Sequence, residues 1–466
     1  MIGHSVFTEK NVTKALVRFA IPGVITILMA ELYNMVDTFF VGRYVGADAV
    51  GAMSIAFPIQ RLIIAISLMI GVGGATRISR ALGEKNKDKL KESIRSAVFL
   101  GIIILGMVPL VFFVFSSEIL SALGARGNIY TLSKSYLNIV VLGSLFLGFT
   151  NIFGYTITAM GNPKVTLIST SLGAIINIIV DFALVGIFDF GVEGAAISTL
   201  VSQMAAFSYS FFMIHRMSTR EGFDLSPRYA KSASKSIIVI GFATFIVEIS
   251  DAVVIGLLNN ILLPIGGNDA VVIVGAITRV SMFMYITIIG ISAGMQPLAS
   301  YSYGSKDYDR LNEIVKKTIK MVLLSSTVLW GAIMYFAPAL IGSFLKDEAI
   351  LNQTISAFRQ TIVVFPIISI YYVSIYYCQS IGKGREGFVL SIYRQMILFL
   401  PLVVVMVNVF GMNGAWWTYP ITDIISALTG VYFIGKSKRE LSGEKRANFR
   451  KRKLSSKLKT RPVEVC

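Results

Sequence analysis

The sequence predicts an all-α integral membrane protein, with twelve transmembrane helices arranged as two parallel six-helix repeats around a central cleft. Three observations predict this fold: the apolar composition, the alternating charge of the loops, and an internal repeat. Of the 466 residues, 55% are hydrophobic and 15% are charged, whereas a soluble domain carries about 25% charged residues. The first apolar run follows a polar start, so it is expected to be a permanent span and not a cleaved signal peptide.

Twelve apolar runs are long enough to cross a bilayer, which takes about 20 helical residues. The last two runs form one charge-free stretch that must contain a turn at 408–413. The predicted spans are 14–41, 50–76, 94–117, 134–160, 164–188, 193–214, 234–262, 270–300, 318–342, 355–381, 387–409 and 413–435.

The charge of the loops alternates along the chain. Loops after even-numbered spans are basic, as in 85–91, whereas those after odd-numbered spans are short or acidic. Because basic loops stay in the cytoplasm, both termini are expected there, with the protein in the plasma (cell inner) membrane. The net charge of +17 lies largely in these loops and in 436–466, which holds 12 Lys or Arg against three Glu. This pattern favours contact with anionic membrane lipids and argues against nucleic-acid binding.

The second half of the chain repeats short patterns of the first half about 221 residues later. The matches occur in the same order and fall at equivalent span boundaries, with the last one offset by one residue. The matched stretches are 46–50 with 267–271, 83–90 with 304–311, 161–164 with 382–385, and 191–195 with 411–415.

The repeat divides the chain into two lobes of six spans each. An even number of spans returns the chain to its starting side, so the two repeats are parallel and flank a cleft along the membrane normal. The predicted parts are a first lobe at 1–215, a cytoplasmic linker at 216–232, a second lobe at 233–435 and a basic cytoplasmic tail at 436–466. Two lobes around a cleft are typical of a rocking transporter, here expected to be a monomer.

Two acids lie inside spans of the first lobe, Asp37 and Asp181. A carboxylate in hydrocarbon costs several kcal/mol unless it is protonated, paired or solvated. Asn34 precedes Asp37 by three residues and Asn177 precedes Asp181 by four, so each amide shares a helical face with its acid. If spans 1 and 5 face one cavity, these groups could accept a proton, or could bind Na⁺ through their oxygens. The matching position of Asp37 in the second lobe is Leu258, so the site is expected in one lobe alone.

Other charged residues in the spans have two interpretations. Glu31 with Arg61 and Glu248 with Arg279 could be structural ion pairs within each lobe, or could take part directly in coupling or substrate binding. Asp251 and Asp423 are open between these roles. Aromatic side chains in the spans, including Tyr33, could stack on a flat cationic substrate or could simply pack.

The composition disfavours an enzyme. The two cysteines, at 378 and 466, and the two histidines, at 4 and 215, do not form a ligand set for a metal or haem. They also disfavour a Ser-His or Cys-His catalytic arrangement. No cofactor is expected beyond a coupling ion, H⁺ or Na⁺.

The motifs resemble those of the multidrug and toxic compound extrusion (MATE) family, in particular its prokaryotic DinF-like and MepA-like branch. The resemblance rests on Pro22, on Val-Asp-Thr-Phe-Phe-Val-Gly at 36–42, on Gly83, and on the stretches 177–181 and 191–196. It implies a coupling-ion site at Asp37, Asn177 and Asp181, with Asn151 and Thr199, and a hinge at Pro22. A branch with acids on spans 7 and 10 fits less well, because 355–381 has no carboxylate.

The resulting hypothesis is a secondary active antiporter that exports cationic or amphipathic organic compounds in exchange for H⁺ or Na⁺. The alternatives are a lipid-linked oligosaccharide flippase of the same superfamily, an intramembrane transferase and a channel. A flippase is expected to have an Arg-rich cavity, and a transferase to have an extramembrane loop or a polar His/Asp cluster. A channel would not explain a two-lobe repeat with buried acids.

Overall fold

A computed structural model describes residues 4–343, 345 and 347–459. Among them, the side chains of residues 4, 5, 251, 252 and 444–459 are not described. The side chain of Asp251 and those of most of the predicted basic tail are therefore not described. The described residues form helices and short connections, with no strand among them.

The helices follow the predicted spans, and we number α1–α12 accordingly. Those of the first half are α1 Val12–Tyr44, α2 Ala47–Gly83, α3 Lys87–Ala122, α4 Gly127–Ala159, α5 Pro163–Ile187 and α6 Gly191–Glu221. Those of the second half are α7 at 231–266, α8 at 268–304, α9 Tyr308–Gly342, α10 Glu348–Thr361 with Phe365–Ser380, α11 Gly384–Phe410 and α12 Met412–Lys459.

Twelve spans are counted when the bent helix α10 is taken as one span, the longest helix is divided in two and α12 is added. Among the described residues, nine continuous helices are long and apolar enough to cross a membrane, or ten if the two segments of α10, bent by 52°, form one span. The longest of these, Lys231–Gly304, contains a break at Gly267, where φ is 59° and ψ is −152°. That residue separates α7 from α8, and the apolar first half of α12 supplies the last span.

The internal repeat is visible in the backbone. Lys85 and Lys306 occupy matching positions and have nearly equal positive φ angles, 56° and 60°. Positive φ is uncommon outside glycine. The helices that follow also begin alike: Asn86 accepts a hydrogen bond from the Lys89 backbone N–H at 2.9 Å, and Asp307 accepts one from that of Arg310 at 3.0 Å. The two six-helix units therefore share their turns as well as their spans.

Helix α1 contributes to the cores of both halves. Its first turns, including Leu16 and Phe19, pack with second-half residues such as Met295. Its last turns belong to the first half, where Val41 packs with residues of α2, α4 and α6. Pro22 lies between these two regions, in a helix that stays continuous through it.

Glycines bring the two halves into close contact along α1, α2, α7 and α8. An added Cβ at Gly73 would lie 2.0 Å from the Ile237 carbonyl oxygen, and one at Gly23 would lie 2.9 Å from that of Gly290. These positions lie in the helix halves nearer the basic loops. The side predicted to be cytoplasmic is therefore closed by backbone contact, which requires residues without a side chain.

The linker between the halves is tied to α3 by an exposed ion pair. Arg95 donates through two nitrogens to the Asp224 carboxylate, and the Ser226 backbone N–H donates to the same group. The hydrogen bond from Arg95, together with that from Ser226, holds the pKa of Asp224 well below its usual range. Asp224 therefore stays ionised at neutral pH and fixes the linker against the first half.

Candidate functional site

Asp37 and Asp181 meet in a buried site of the first half. Asp37 on α1 is 4% exposed and Asp181 on α5 is 0% exposed. Helices α1 and α5 pack side by side, and the two carboxyl groups lie close enough for their charges to interact. Two acids from distant parts of the sequence thus share one water-poor space.

One oxygen of Asp37 is fixed by a short relay. The Tyr136 hydroxyl of α4 donates to Asp37 Oδ2 at 3.2 Å, and Gln60 Nε2 of α2 donates to the Tyr136 hydroxyl at 3.1 Å. Tyr136 is completely buried, so its ring is held by packing. The other carboxylate oxygen of Asp37, Oδ1, has no hydrogen-bond partner among the described residues.

Asn177 completes the α5 side of the site. It lies one turn before Asp181, and its Nδ2 donates to the Ser198 hydroxyl of α6 at 3.0 Å. That hydroxyl in turn donates to the Asn177 backbone carbonyl at 2.9 Å. With its donor used in this way, the Asn177 side-chain carbonyl is free to act as an acceptor. Tyr33 of α1 lies alongside Thr199 of α6, close to both acids.

Five oxygens of this site have no hydrogen-bond partner among the described residues, although all are buried. A buried polar atom without a partner costs about 1–3 kcal/mol, and an uncompensated carboxylate costs more. The arrangement can lower this cost by taking up a proton between the acids, or a hard cation that prefers oxygen ligands. The five atoms are Asp37 Oδ1, Asp181 Oδ1 and Oδ2, Asn177 Oδ1 and Thr199 Oγ1.

Two other residues that the sequence analysis singled out, Asn151 and Asn34, form hydrogen bonds that do not involve the two acids. Asn151 of α4 donates to the Ser67 hydroxyl of α2 at 2.8 Å, so its amide is engaged in a contact between α2 and α4. Asn34 is half-buried on α1, and its backbone carbonyl accepts a hydrogen bond from Thr38 at 2.9 Å. Asn177 and Thr199 therefore lie beside the two acids, whereas Asn151 takes part in a separate contact between α2 and α4.

A second charged group lies between the two halves. Arg61 Nη2 of α2 contacts both carboxylate oxygens of Glu31 on α1, at 3.0 and 3.1 Å. Its Nη1 lies 3.6 Å from Glu248 Oε2 on α7. The predicted pair of Glu248 with Arg279 is wrong, because Glu248 faces Arg61 across the cleft and Arg279 is exposed on α8. The sequence analysis paired acidic and basic residues within each repeat, whereas Glu248 of the second half contacts Arg61 of the first half.

Sequence reasoning missed the ion pair inside the second half. Arg394 of α11 donates through Nε and Nη2 to Asp423 Oδ1 of α12, at 3.0 and 2.9 Å, and also to the Tyr285 hydroxyl at 2.9 Å. Both charged side chains are almost fully buried. The sequence does contain a signal for this pair: Arg394 and Asp423 are the charged residues at the two ends of the charge-free stretch that contains the last turn.

Comparison with known protein families identifies the family of this chain. A profile described as MatE matches residues 22–183 and 231–405, one match in each half of the chain. The chain belongs to the MatE family. In this MatE chain the matched regions include Asp37, Asn177 and Asp181, together with Arg61 and Glu248 of the cleft.

Relatives and solved structures agree with the MatE assignment. The chain is 28% identical to the multidrug export protein MepA of Staphylococcus saprophyticus over 432 residues, 92% of this chain and 94% of that protein. It is also 28% identical to MepA of Staphylococcus aureus over 431 residues, with the same coverage. A structure described as the outward-facing conformation of a multidrug resistance MATE family transporter covers 95% of this chain and 99% of its own, with TM-score 0.89 and 22% identity. The fold is therefore that of MATE transporters.

Proposed function

We propose that this MatE-family membrane protein is a secondary active antiporter that exports cationic or amphipathic organic compounds in exchange for H⁺ or Na⁺. The observation that carries the proposal is the proximity of the buried acids Asp37 and Asp181, where three carboxylate oxygens have no hydrogen-bond partner among the described residues. Two such acids cannot both stay uncompensated anions. The names of the MepA relatives, which are multidrug export proteins, support the substrate class.

The proposed cycle follows from competition between the substrate cation and the coupling ion for the negative charges of Asp37 and Asp181. With the cleft open to the cytoplasm, ionised acids favour a lipophilic cation. The lobes then rock outward, a proton or Na⁺ neutralises Asp37 and Asp181, and the cation leaves. The loaded ion drives the return. The structure, closed by glycine contacts on the basic side, fits the outward-facing part of this cycle.

The proposed setting is the plasma membrane, with both termini in the cytoplasm and the protein acting as a monomer. The proposed contacts are with small cationic or amphipathic drugs and with membrane lipids. No cofactor and no catalytic residue belong to this proposal. Pro22 is proposed as the hinge of α1, and Asn177 and Thr199 as further oxygen ligands of the coupling ion.

Proteoliposomes can test the proposal directly. Vesicles containing the purified full chain are given tetraphenylphosphonium with an imposed pH gradient and, in a separate series, with an imposed Na⁺ gradient. We expect uptake against its gradient in one of the two series, which also identifies the coupling ion. Wild-type protein that moves the probe in neither series, in membranes of either orientation, would refute the antiporter proposal.

Replacing Asp37 by Asn keeps the hydrogen bond from Tyr136 but removes the charge. We expect ion-driven transport to fall to the background of protein-free vesicles, while membrane expression and thermal stability stay close to wild type. Asp48→Asn makes the same change at an exposed acid that accepts a hydrogen bond from Asn128 at 2.7 Å, and should transport normally. If the Asp37→Asn variant transported as well as wild type, Asp37 would not be part of the coupling site.

A further inference from the structure

A cavity of about 460 Å³ lies beside the bend in α10, in the second half of the molecule. Its described lining residues come from α9, α10 and α12, near the ends of these helices that are away from the basic loops. The bend is 52°. Pro366 accounts for it, because proline cannot donate a hydrogen bond to the Ile362 carbonyl four residues earlier. The Trp330 indole of α9 donates to that carbonyl instead, at 2.8 Å, so the bend is built into the fold.

The cavity is lined by one charged side chain and several polar ones. Of the described residues that line it, Arg359 alone is charged, and Asn352, Ser356 and Gln360 add hydrogen-bonding groups. Arg359 is exposed, and its described hydrogen bond is a long one of 3.4 Å to the Met334 carbonyl. Gln360 Oε1 is buried and has no hydrogen-bond partner among the described residues. An available cation beside a buried acceptor suits a ligand that carries both an anionic group and a hydrogen-bond donor.

The exposed side chains near the cavity change from polar to apolar along the chain. On α10, the exposed residues Asn352, Ser356 and Arg359 are followed by the exposed residues Val363 and Ile367. Helices α10 and α12 both run inward from the side away from the basic loops, so later residues lie deeper in the membrane. On α12, one helical face carries exposed apolar residues from the level of the cavity inward. These residues are Trp417, Ile421, Ile424 and Leu428.

Exposed aromatic residues mark the depth of the cavity in the membrane. Tyr335 and Phe336 directly follow the lining residue Met334 on α9, and both are exposed. Trp417, which lines the cavity from α12, is exposed as well. Tyrosine and tryptophan on membrane helices concentrate at the level of the lipid headgroups. A phospholipid carries its charge at that level and its chains below it, which is the order of the polar and apolar side chains along α10.

We propose that this cavity binds the headgroup of an anionic phospholipid of the outer leaflet, namely phosphatidylglycerol. Arg359 pairs with the phosphodiester, and Gln360 Oε1 accepts a hydrogen bond from a headgroup hydroxyl. The acyl chains lie on the exposed apolar residues of α10 and α12. Phosphatidylcholine has the phosphodiester but carries a balancing cation and no headgroup donor, so it leaves Gln360 Oε1 unpaired. The site uses neither Asp37 nor Asp181, and the inference stands apart from the proposed antiport.

Site-specific quenching by labelled lipids tests this assignment in the full chain. With Cys378 and Cys466 replaced by Ser, a bimane is attached to Ile367→Cys below the cavity or to Val328→Cys on the exposed surface of α9. The protein is reconstituted in phosphatidylcholine that contains either phosphatidylglycerol or phosphatidylcholine with a nitroxide on one chain, which quenches a nearby bimane. At Ile367→Cys, we expect half-quenching at an about fivefold lower mole fraction of the phosphatidylglycerol probe. At Val328→Cys, the two probes should quench alike.

Two variants at the cavity and one matched control decide the outcome. Arg359→Gln removes the cation and Gln360→Leu removes the acceptor, and each should abolish the preference for phosphatidylglycerol at Ile367→Cys. Arg126→Gln makes the first change at an exposed arginine between α3 and α4, and should keep the preference. Equal quenching by the two probes in the chain without these variants, or a preference that survives either cavity variant, would overturn the inference. If Arg359→Gln is not monodisperse, Gln360→Leu decides alone.

Discussion

Buried charges in this protein occur in two different states. Arg394 and Asp423 in the second half are paired at 2.9 Å, and the Tyr285 hydroxyl accepts a further hydrogen bond from Arg394. Asp37 and Asp181 in the first half face each other with oxygens that no described donor reaches. The first arrangement satisfies its charges internally, whereas the second leaves buried carboxylate oxygens without a hydrogen-bond partner among the described residues. Mutations should therefore affect stability in one half and transport in the other.

Replacing Arg394 by Met tests the structural role of the second pair. The change leaves Asp423 buried without its counter-charge, which costs about 3–5 kcal/mol of stability. Arg394→Met combined with Asp423→Leu removes both charges and should recover most of that loss. Thermal unfolding of the purified protein in detergent measures both. Equal stability of the single and the double variant would contradict this account.

The residues that sequence reasoning could identify are those whose type is unusual for their place. Asp37, Asp181 and Asn177 are polar side chains in apolar runs, and the structure brings them together. Tyr136 and Ser198 were missed, because a tyrosine or serine is common in a membrane helix and only its position gives it a role. The partner of Glu248 was missed because pairing across the cleft depends on how the halves dock. No pattern along the chain encodes that docking.

At the scale of single helices, two π-helical segments lie next to buried charged residues. A π-helical segment, Phe182–Ile187, begins directly after Asp181 in α5. Another, Tyr393–Phe399, contains Arg394 in α11. An extra residue in a turn shifts the side chains that follow, and such segments are frequent at functional sites. The positions of the spans could be predicted from hydropathy, but these turns could not, because the apolar pattern continues through them.

Helix α1 links the two halves through Pro22. Its first turns pack on the second half and its later turns carry Glu31 and Asp37 toward the first. Proline cannot donate the backbone hydrogen bond to residue 18, which lowers the cost of bending there. Ion binding at Asp37 could then alter the angle between the two parts of α1 without unfolding either.

Pro22→Ala restores the missing donor and should stiffen α1. We expect transport in proteoliposomes to slow by about tenfold, while binding of tetraphenylphosphonium stays near wild type, because the change affects the movement and not the site. Pro109→Ala makes the same change inside α3, which carries neither acid, and should leave transport unchanged. A Pro22→Ala variant with wild-type transport would exclude Pro22 as the hinge.

For the whole molecule, glycine contacts between the halves close the side of the cleft nearer the basic loops. An added Cβ at Gly83 would lie 2.1 Å from the Tyr301 carbonyl oxygen, and one at Gly304 would lie 2.2 Å from that of Arg80. The sequence repeat aligned Gly83 with Gly304, but it did not show that these residues meet. Contact between repeats depends on their relative placement, which the periodicity of either repeat leaves open.

Gly83→Ala should therefore open the side that carries the basic loops. In a chain with Cys378 and Cys466 replaced by Ser, a cysteine placed at Ala20, now 4% exposed, reports the opening. We expect a membrane-impermeant maleimide added from that side to label it several-fold faster in the Gly83→Ala variant. Gly331→Ala, where an added Cβ meets nothing within 4 Å, is the control. Unchanged labelling of a well-folded Gly83→Ala variant would contradict closure by this contact.

The junction of Gly83 and Gly304 is also self-complementary. Each glycine meets the carbonyl three residues before the other, so the same patch is used from both sides, as in an isologous homodimer. A free six-helix unit that carried this patch once could assemble with its own copy, and the fused chain now encodes the patch twice. Both substitutions disturb the same contact. The double variant Gly83→Ala with Gly304→Ala should therefore lose less free energy of unfolding than the sum of the losses in the two single variants.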